Sequence, residues 1–195
     1  MKTKRFPLRL QMPSFLLLLT ILSGCAEKVN PRISVVTDPA PGSVVSFGLT
    51  RLTETLQAKG ITFEKAGSVS EAAGDIVVVA GLSAGDGIAA SMLKENNVKV
   101  PTVPEAITVF KTKAGKKTVW VISGSDERGL AYALYDVSDR ISWSDNRKNP
   151  VSRVKEITEQ PDVSVRTVTL YTMNRAWWEK RFYDEAYWDQ YLEML

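Results

Sequence analysis

The chain has 195 residues, enough for one complete domain and part of a second. Its apolar content of 44% and charged content of 24% are ordinary for a globular protein. The sequence contains no histidine, which excludes imidazole general bases, histidine-containing catalytic triads and histidine metal ligands in this chain. We expect neither a cofactor nor a metal ion.

The first 25 residues have the pattern of an export signal. A basic start precedes the apolar run 15–22, which is too short to span a bilayer as a mature anchor. The run leads into Leu22-Ser-Gly-Cys25, which resembles the lipobox of bacterial lipoproteins. That resemblance implies removal of residues 1–24 as a signal peptide and lipid attachment to Cys25, the only cysteine. The alternative is a secretory signal without lipidation.

Export changes both the charge and the expected partners. The formal charge is +3, but removal of the four basic residues within 1–24 leaves 21 basic against 22 acidic residues. A balance near zero gives no reason to expect nucleic acid as a partner. We expect the chain to be anchored through its lipid to a bacterial membrane, in the periplasm, on the outer membrane or at the cell surface.

After a polar tether at 25–32, residues 33–143 predict one α+β domain. Apolar, β-branched runs alternate with segments of helical spacing. Strands are predicted at 32–37, 61–65, 75–80, 106–111 and 117–123, and helices at 47–59, 88–97 and 126–141. The run 75–80 is the most apolar, which favours a central strand covered on both faces. The close spacing of the last two strands predicts a hairpin, and hence a mixed sheet with about three helices.

The glycine-rich stretch 81–87 follows the central strand and opens a helix. Such a loop can cradle phosphate at a helix N-terminus. However, it lacks the Gly-Lys-Ser/Thr ending of a P-loop, and it does not follow the first strand as a dinucleotide fingerprint would. We interpret it as a flexible loop and a helix start.

The segment 117–141 predicts a strand, a tight turn at Gly124 and an amphipathic helix. Ser123 and Ser125 can offer hydroxyl groups to the free amides of the helix start. Asp126 and Glu127 place negative charge where the helix dipole favours it. One apolar stripe then follows the helical period, formed by Leu130, Leu134, Val137 and Ile141.

The string from Gly124 to Tyr135, GSDERGLAYALY, resembles the last strand–turn–helix of the small N-terminal domain that precedes the catalytic barrel in β-hexosaminidases and α-glucuronidases. Ala133 stands where a second glycine is often found in that family. The resemblance implies an accessory domain of a glycoside hydrolase and a glycan as the substrate of the complete enzyme. Any other α/β domain with a strand, a glycine turn and an amphipathic helix is the alternative.

A polar, proline-containing stretch at 144–162 is predicted to connect two domains. Beyond it, residues 163–195 predict a strand framed by Val163, Val165, Val168 and Leu170, then a helix with an apolar stripe from Tyr187 to Leu195. A strand followed by a helix is the opening unit of a (β/α)₈ barrel. We expect this unit to begin a truncated barrel; the alternative is that it packs onto the small domain.

Four residues are candidates for substrate contacts: Asn174, Arg175, Trp177 and Trp178. Asparagine and arginine can hydrogen-bond hydroxyl groups, an exposed indole can stack on a sugar ring, and loops after barrel strands build active sites. The resemblance to β-hexosaminidases also implies a sugar contact near Arg175, although the gap from Arg166 to Arg175 is one residue longer than that family's pattern. Packing of the two tryptophans in the fold is the equally supported alternative.

No catalytic residue is assigned. Glycoside hydrolysis requires two carboxyl groups placed on either side of the scissile bond. The pairs Asp126-Glu127 and Asp184-Glu185 each precede a predicted helix, where helix-dipole compensation explains their charges.

The sequence therefore predicts the non-catalytic N-terminal part of an exported glycoside hydrolase-like lipoprotein. One alternative is a stand-alone carbohydrate-binding or adhesion lipoprotein without enzymatic activity. A solute-binding lipoprotein of a transporter is disfavoured, because such proteins need two lobes of comparable size.

Overall fold

A six-stranded sheet organises the first of two compact units, which divide between Gln160 and Pro161. The structure is a computed structural model that describes residues 33–146, 148–169 and 175–194. The predicted signal peptide 1–24, the tether 25–32 that begins with Cys25, and Asn174 lie outside these residues. We call residues 33–160 the sheet domain and 161–194 the C-terminal unit. The strands are β1 (Ile33–Thr37), β2 (Phe63–Ala66), β3 (Ile76–Leu82), β4 (Ile107–Ala114), β5 (Lys117–Gly124) and β6 (Ile157–Glu159).

Three helices accompany the sheet. They are α1 (Ser43–Ala58), α2 (Ile88–Glu95) and α3 (Glu127–Ser142). The strand order is β2-β1-β3-β5-β4-β6, in which β2, β1, β3 and β5 are parallel. Strand β4 runs antiparallel to both β5 and β6. The predicted α+β class, the mixed sheet and the hairpin of β4 and β5 are confirmed.

Strand β3 is the centre of the sheet domain, with a core on each of its faces. Because side chains alternate along a strand, Val78 and Ala80 pack in a cluster with residues of α1 and α3. Val77 and Val79 pack on the other face with residues of α2. The prediction of a central strand covered on both sides is confirmed.

The turn from β5 to α3 brings two backbone segments into close contact. A Cβ atom at Gly124 would lie 1.9 Å from the backbone nitrogen of Leu130, so only glycine fits there. The predicted apolar stripe of α3 is buried, with Leu134 and Ile141 both 0% exposed.

The N-terminal cap of α3 differs from the prediction. Asp126 is the cap, and its Oδ1 accepts a hydrogen bond from the Gly129 backbone N–H at 2.8 Å. Ser125 Oγ instead accepts from the Ala106 N–H and donates to the Val103 carbonyl. Ser123 is buried, and its hydroxyl has no partner among the described residues. Aspartate suits this position because it has two carboxylate oxygens. One accepts from the helix start, and the other, Oδ2, accepts from the Glu105 N–H of the neighbouring loop at 3.0 Å.

The stretch predicted as a connector contains structure that the sequence analysis did not foresee. Val151 and Val154 are 5% and 7% exposed and belong to the core beneath α3. Strand β6 pairs with β4, with Val109 opposite Ile157. Three residues at a sheet edge leave too short a pattern for sequence analysis to detect.

The described residues of the C-terminal unit form two helices, α4 (Arg175–Trp178) and α5 (Glu185–Met194). Helix α5 lies where the sequence predicts one, but the predicted strand is absent from the described residues 161–169. Val163, Val165 and Val168 are 57%, 76% and 55% exposed there, and Leu170 lies outside the described residues. The described residues 161–169 contain no second strand with which this segment could pair. An extended segment without a paired strand lacks the backbone hydrogen bonds that stabilise a sheet.

Candidate functional site

Three of the four predicted sugar-contact residues lie on the four-residue helix α4. Arg175 opens this helix and is exposed, and Trp177 is 51% exposed. Trp178 is half-buried. The structure therefore brings Arg175 and Trp177 to the surface of one short element.

Trp178 packs inside the C-terminal unit. Its ring stacks on Trp188 with the centroids 5.5 Å apart and the planes at 11°. Tyr187 meets it edge-on at 6.0 Å. These contacts fit the alternative in which Trp178 is a packing residue, because its stacked face is already occupied.

Trp177 is covered on one face by a cation. The guanidinium carbon of Arg181 lies 3.8 Å from the centre of the Trp177 ring, and Arg181 Nη1 donates to the Trp177 carbonyl at 3.0 Å. This cation–π contact fixes the indole while leaving half of its surface exposed. A ring held in this way is a suitable platform for an apolar sugar face.

The two acidic pairs are used at helix starts. Asp126 caps α3, and Asp184 Oδ1 accepts from the Tyr187 N–H at 3.3 Å at the start of α5. Glu127 and Glu185 occupy the first turns of these helices. Each pair therefore has the structural role that the sequence predicts for it.

The glycine-rich loop before α2 is filled by a carboxylate of the chain itself. Asp38, which follows β1, accepts through Oδ1 from the Ile88 N–H at 3.0 Å. A Cβ atom at Gly81 or at Gly87 would lie 2.6 or 2.4 Å from Asp38 Oδ2. The glycines thus admit Asp38, and the helix terminus that could hold a phosphate already holds an anion. This agrees with its interpretation as a loop and helix start.

A groove of about 1580 Å³ opens at the other edge of the sheet domain. Its walls include the end of α1, the starts of β3 and β5, the end of α3 and the turn that follows it. The amino ends of the parallel strands lie here, whereas ligands of open α/β sheets usually bind at the carboxyl ends.

Lysines dominate the charge of the groove. Five lysines and two carboxylates line it: Lys59, Lys111, Lys116, Lys148, Lys155, Asp75 and Glu156. Lys59 Nζ donates to the Ser144 carbonyl at 3.0 Å, close to the end of α3. Within the described residues, the ammonium groups of Lys116, Lys148 and Lys155 have no carboxylate or carbonyl partner. The groove therefore carries net positive charge.

Trp120 forms part of the groove wall and is 5% exposed, in agreement with its predicted place in the core. Its Nε1–H has no hydrogen-bond acceptor among the described residues. The Lys111 ammonium lies 5.4 Å from the centre of the ring. A buried donor without a partner costs about 1–3 kcal/mol. The nitrogen itself is covered by the fold and is not exposed to the groove.

One carboxyl group of the sheet domain has a shifted pKa. The Ser34 hydroxyl donates to Glu64 Oε1 at 2.7 Å, and this bond is the main reason why the pKa of Glu64 lies below its usual 4.5. The Ala73 N–H, at 2.6 Å from the same oxygen, acts in the same direction. This network joins β1 and β2 to the loop before β3, which is a structural role.

The described residues also bear on other kinds of site. They hold no group of three or more acidic or cysteine side chains placed to bind a metal ion. Among them, no helix combines the length and apolar character needed to cross a membrane.

Comparisons with known proteins give a structural likeness only. No protein-family model matches the chain, and no curated protein matches it. Among solved structures, a GH138 enzyme targeting pectin rhamnogalacturonan II matches 83% of this chain with 18% identity and a TM-score of 0.50. CpGH84D matches 58% of the chain with 17% identity and a TM-score of 0.47. The chain spans 17% and 18% of the lengths of these two proteins.

The match to the GH138 enzyme shows the fold. An arrangement similar to that of most of this chain also occurs within a glycoside hydrolase chain. The match agrees with the broader part of the resemblance stated from the sequence, namely a fold that occurs in glycoside hydrolases.

The groove is the feature that sequence reasoning missed. Its lysines come from the residue after α1, from β4 and the turn after it, and from the stretch after α3, which are far apart in the chain. The only local signal is the frequency of lysine in the turns around 116 and 148. A pattern along the sequence does not show that these turns meet.

Proposed function

We propose that this chain is the non-catalytic N-terminal part of an exported glycoside hydrolase-like lipoprotein that takes part in glycan degradation. The sheet domain would be an accessory domain of the type that precedes the barrel in β-hexosaminidases and α-glucuronidases. The observation that carries the proposal is the structural likeness to the GH138 enzyme, together with the strand–turn–helix at β5 and α3 that holds the Gly124–Tyr135 string.

The C-terminal unit is the proposed start of a catalytic barrel. Its support is the helix α5 after the segment 161–169 and the exposed pair Arg175 and Trp177. In this proposal Arg175 and Asn174 hydrogen-bond sugar hydroxyls, Trp177 stacks on a sugar ring, and Trp178 supports α4 from within the aromatic cluster.

The proposal is tested by measuring glycan binding and glycoside hydrolysis by the purified chain. The purified chain should bind glycans and should not hydrolyse chromogenic N-acetylglucosaminides, glucuronides or xylosides, because the two acidic pairs Asp126-Glu127 and Asp184-Glu185 stand at helix starts. Trp177→Ala should weaken glycan binding about five- to tenfold through the lost stacking. Trp143→Ala is the matched control, since Trp143 is 60% exposed and belongs to the sheet domain.

Two results would contradict the proposal. Equal losses in the Trp177 and Trp143 variants would remove the assigned sugar contact. Hydrolysis above the buffer rate that disappears in Asp126→Asn or Glu127→Gln would show that these carboxylates are catalytic.

The membrane anchor is a separate part of the proposal and rests on the lipobox-like sequence at Cys25. We expect the chain expressed with its residues 1–24 to incorporate radiolabelled fatty acid and to fractionate with membranes. Cys25→Ala should lose both properties. Unchanged labelling of this variant would refute the anchor.

A stand-alone carbohydrate-binding or adhesion lipoprotein is the second candidate. The observation that favours it is the exposed, cation-supported ring of Trp177, which offers a sugar platform without a barrel. Genomic sequence downstream of the Leu195 codon separates the two candidates. A reading frame that continues into barrel repeats supports the accessory-domain proposal, and a stop codon supports the second candidate.

A further inference from the structure

We infer that the groove at the amino ends of the parallel strands is a second glycan site, and that it binds acidic oligosaccharides that carry carboxylates, such as oligouronates. This inference rests on the proposed glycan-related function and adds a ligand class and a site to it. The site lies entirely within the sheet domain and shares no residue with the contacts predicted at α4.

The charge of the groove selects an anionic ligand. Its five lysines exceed its two carboxylates. The C-terminal ends of α1 and α3, which also face it, contribute partial negative charges of about half a unit each. Lys59 compensates the end of α3 through its bond to the Ser144 carbonyl. Lys111 lies over the Trp120 ring, and the ammonium groups of Lys116, Lys148 and Lys155 leave a positive surface without a carboxylate or carbonyl partner among the described residues.

The size of the groove and the spread of its charges select an extended ligand. Its volume of about 1580 Å³ exceeds the range of about 300–1,000 Å³ that suits drug-sized molecules. Lys111 and Lys116 come from one hairpin, whereas Lys148 and Lys155 come from the turn after α3. Separate cations along a long groove fit a chain with repeated carboxylates better than a single small anion.

Neutral polar groups fit the hydroxyl groups of such a chain. Thr62, Thr118, Asn146 and Asn149 line the groove beside the lysines. The ring of Trp120 also lines the groove, which makes it a reporter of a bound ligand. A site that combines cations with hydroxyl and amide groups can distinguish a charged sugar chain from a simple anion.

The test is isothermal titration calorimetry of the purified full chain at low salt, because exposed charges are screened as ionic strength rises. The probes are an oligogalacturonate, a neutral maltooligosaccharide of equal length and inorganic polyphosphate. We expect binding of the oligogalacturonate that weakens with added salt. The indole N–H resonance of Trp120, assigned by its loss in Trp120→Phe, should shift on addition of the oligogalacturonate.

The variant with Lys148→Gln and Lys155→Gln should bind the oligogalacturonate about tenfold more weakly. Both side chains are exposed and unpartnered within the described residues, so its melting temperature should equal that of the parent. Lys94→Gln with Lys99→Gln is the matched control. It removes the same charge from exposed positions outside the groove and should leave affinity within about twofold.

Each contrary outcome would overturn a stated part of the inferred groove site. Equal losses in the two double variants would show general charge attraction and no groove site. Tighter binding of polyphosphate than of oligogalacturonate would show an anion site without glycan selectivity. Binding of the maltooligosaccharide alone would refute the groove and preserve the proposed glycan function, whereas failure of every sugar probe would count against both.

Discussion

At the scale of the residue, single carboxylates fix the turns of the sheet domain. Asp38 joins the end of β1 to the start of α2, and Asp126 joins the start of α3 to the loop before β4. Asp38 accepts from the Ile88 N–H, and Asp126 accepts from the Gly129 N–H, which are groups that a helix start otherwise leaves unpaired. Asp126 also accepts from the Glu105 N–H in the loop. The sequence signals a cap near residue 126 but does not show which side chain serves it.

The role of Asp126 is testable by its removal. Asp126→Ala should lower the free energy of unfolding by about 1–2 kcal/mol, because it leaves the N–H groups of Gly129 and Glu105 without their acceptors. Asp126→Asn keeps one oxygen acceptor and should lose less. Urea unfolding followed by far-UV circular dichroism measures both. Equal stability of the parent and the alanine variant would contradict the assigned role.

Glu64 gives the sheet domain a defined response to acid. Because the Ser34 hydroxyl and then the Ala73 N–H lower its pKa in the folded state, its contribution to stability is fully present above the usual value of 4.5. That contribution is lost as the pH falls through the lowered pKa. We expect Glu64→Gln to reduce stability near neutral pH and to flatten its decline in acid.

Urea midpoints between about pH 7 and about pH 3 test this dependence. Glu54→Gln, which removes an exposed carboxylate of α1, is the control. A parallel decline of the Glu64 variant and its parent would contradict the role of the network.

At the scale of the element, patterns inside one segment are predictable and pairings between segments are less so. The strand–turn–helix at β5 and α3 was predictable because an apolar run, a glycine and a helical stripe follow one another directly. The edge strand β6 was missed because its three residues are held by pairing with β4. A strand was predicted at 163–170 from its valines, but alternation alone provides no partner.

The close approach at Gly124 gives a prediction for this element. Gly124→Ala should cost more than about 3 kcal/mol or prevent folding, because the new Cβ would meet the Leu130 backbone at 1.9 Å. Gly67→Ala is the control, since its Cβ would meet only the flexible end of Glu71 at 2.9 Å. Soluble yield and thermal melting separate the two variants. A Gly124 variant as stable as the Gly67 variant would show that the turn can open without cost.

At the scale of the whole molecule, the sequence predicts the class of the sheet and both of its covered faces, and leaves the groove and the extent of the first unit open. Strand order and the meeting of the groove lysines depend on contacts between distant segments. Three of the four residues predicted to contact sugar lie on one short helix, but the packing of Trp178 against Trp188 depends on residues about ten positions apart. Long-range packing is therefore the part that local patterns do not encode.

The extent of the first unit gives the last prediction. A chain that ends after Gln160 should unfold in one cooperative transition, because it keeps β6 and the core residues Val151 and Val154. A chain that ends after Asn149 loses all three. The two buried valines alone contribute about 3 kcal/mol, and loss of β6 also exposes the edge of β4. We therefore expect the shorter chain to melt at a lower temperature and to aggregate more readily.

Val154→Ala in the longer chain should show an intermediate loss of stability. If the chain ending after Asn149 were as stable as the longer one, the turn after α3 and β6 would not belong to the core of the sheet domain.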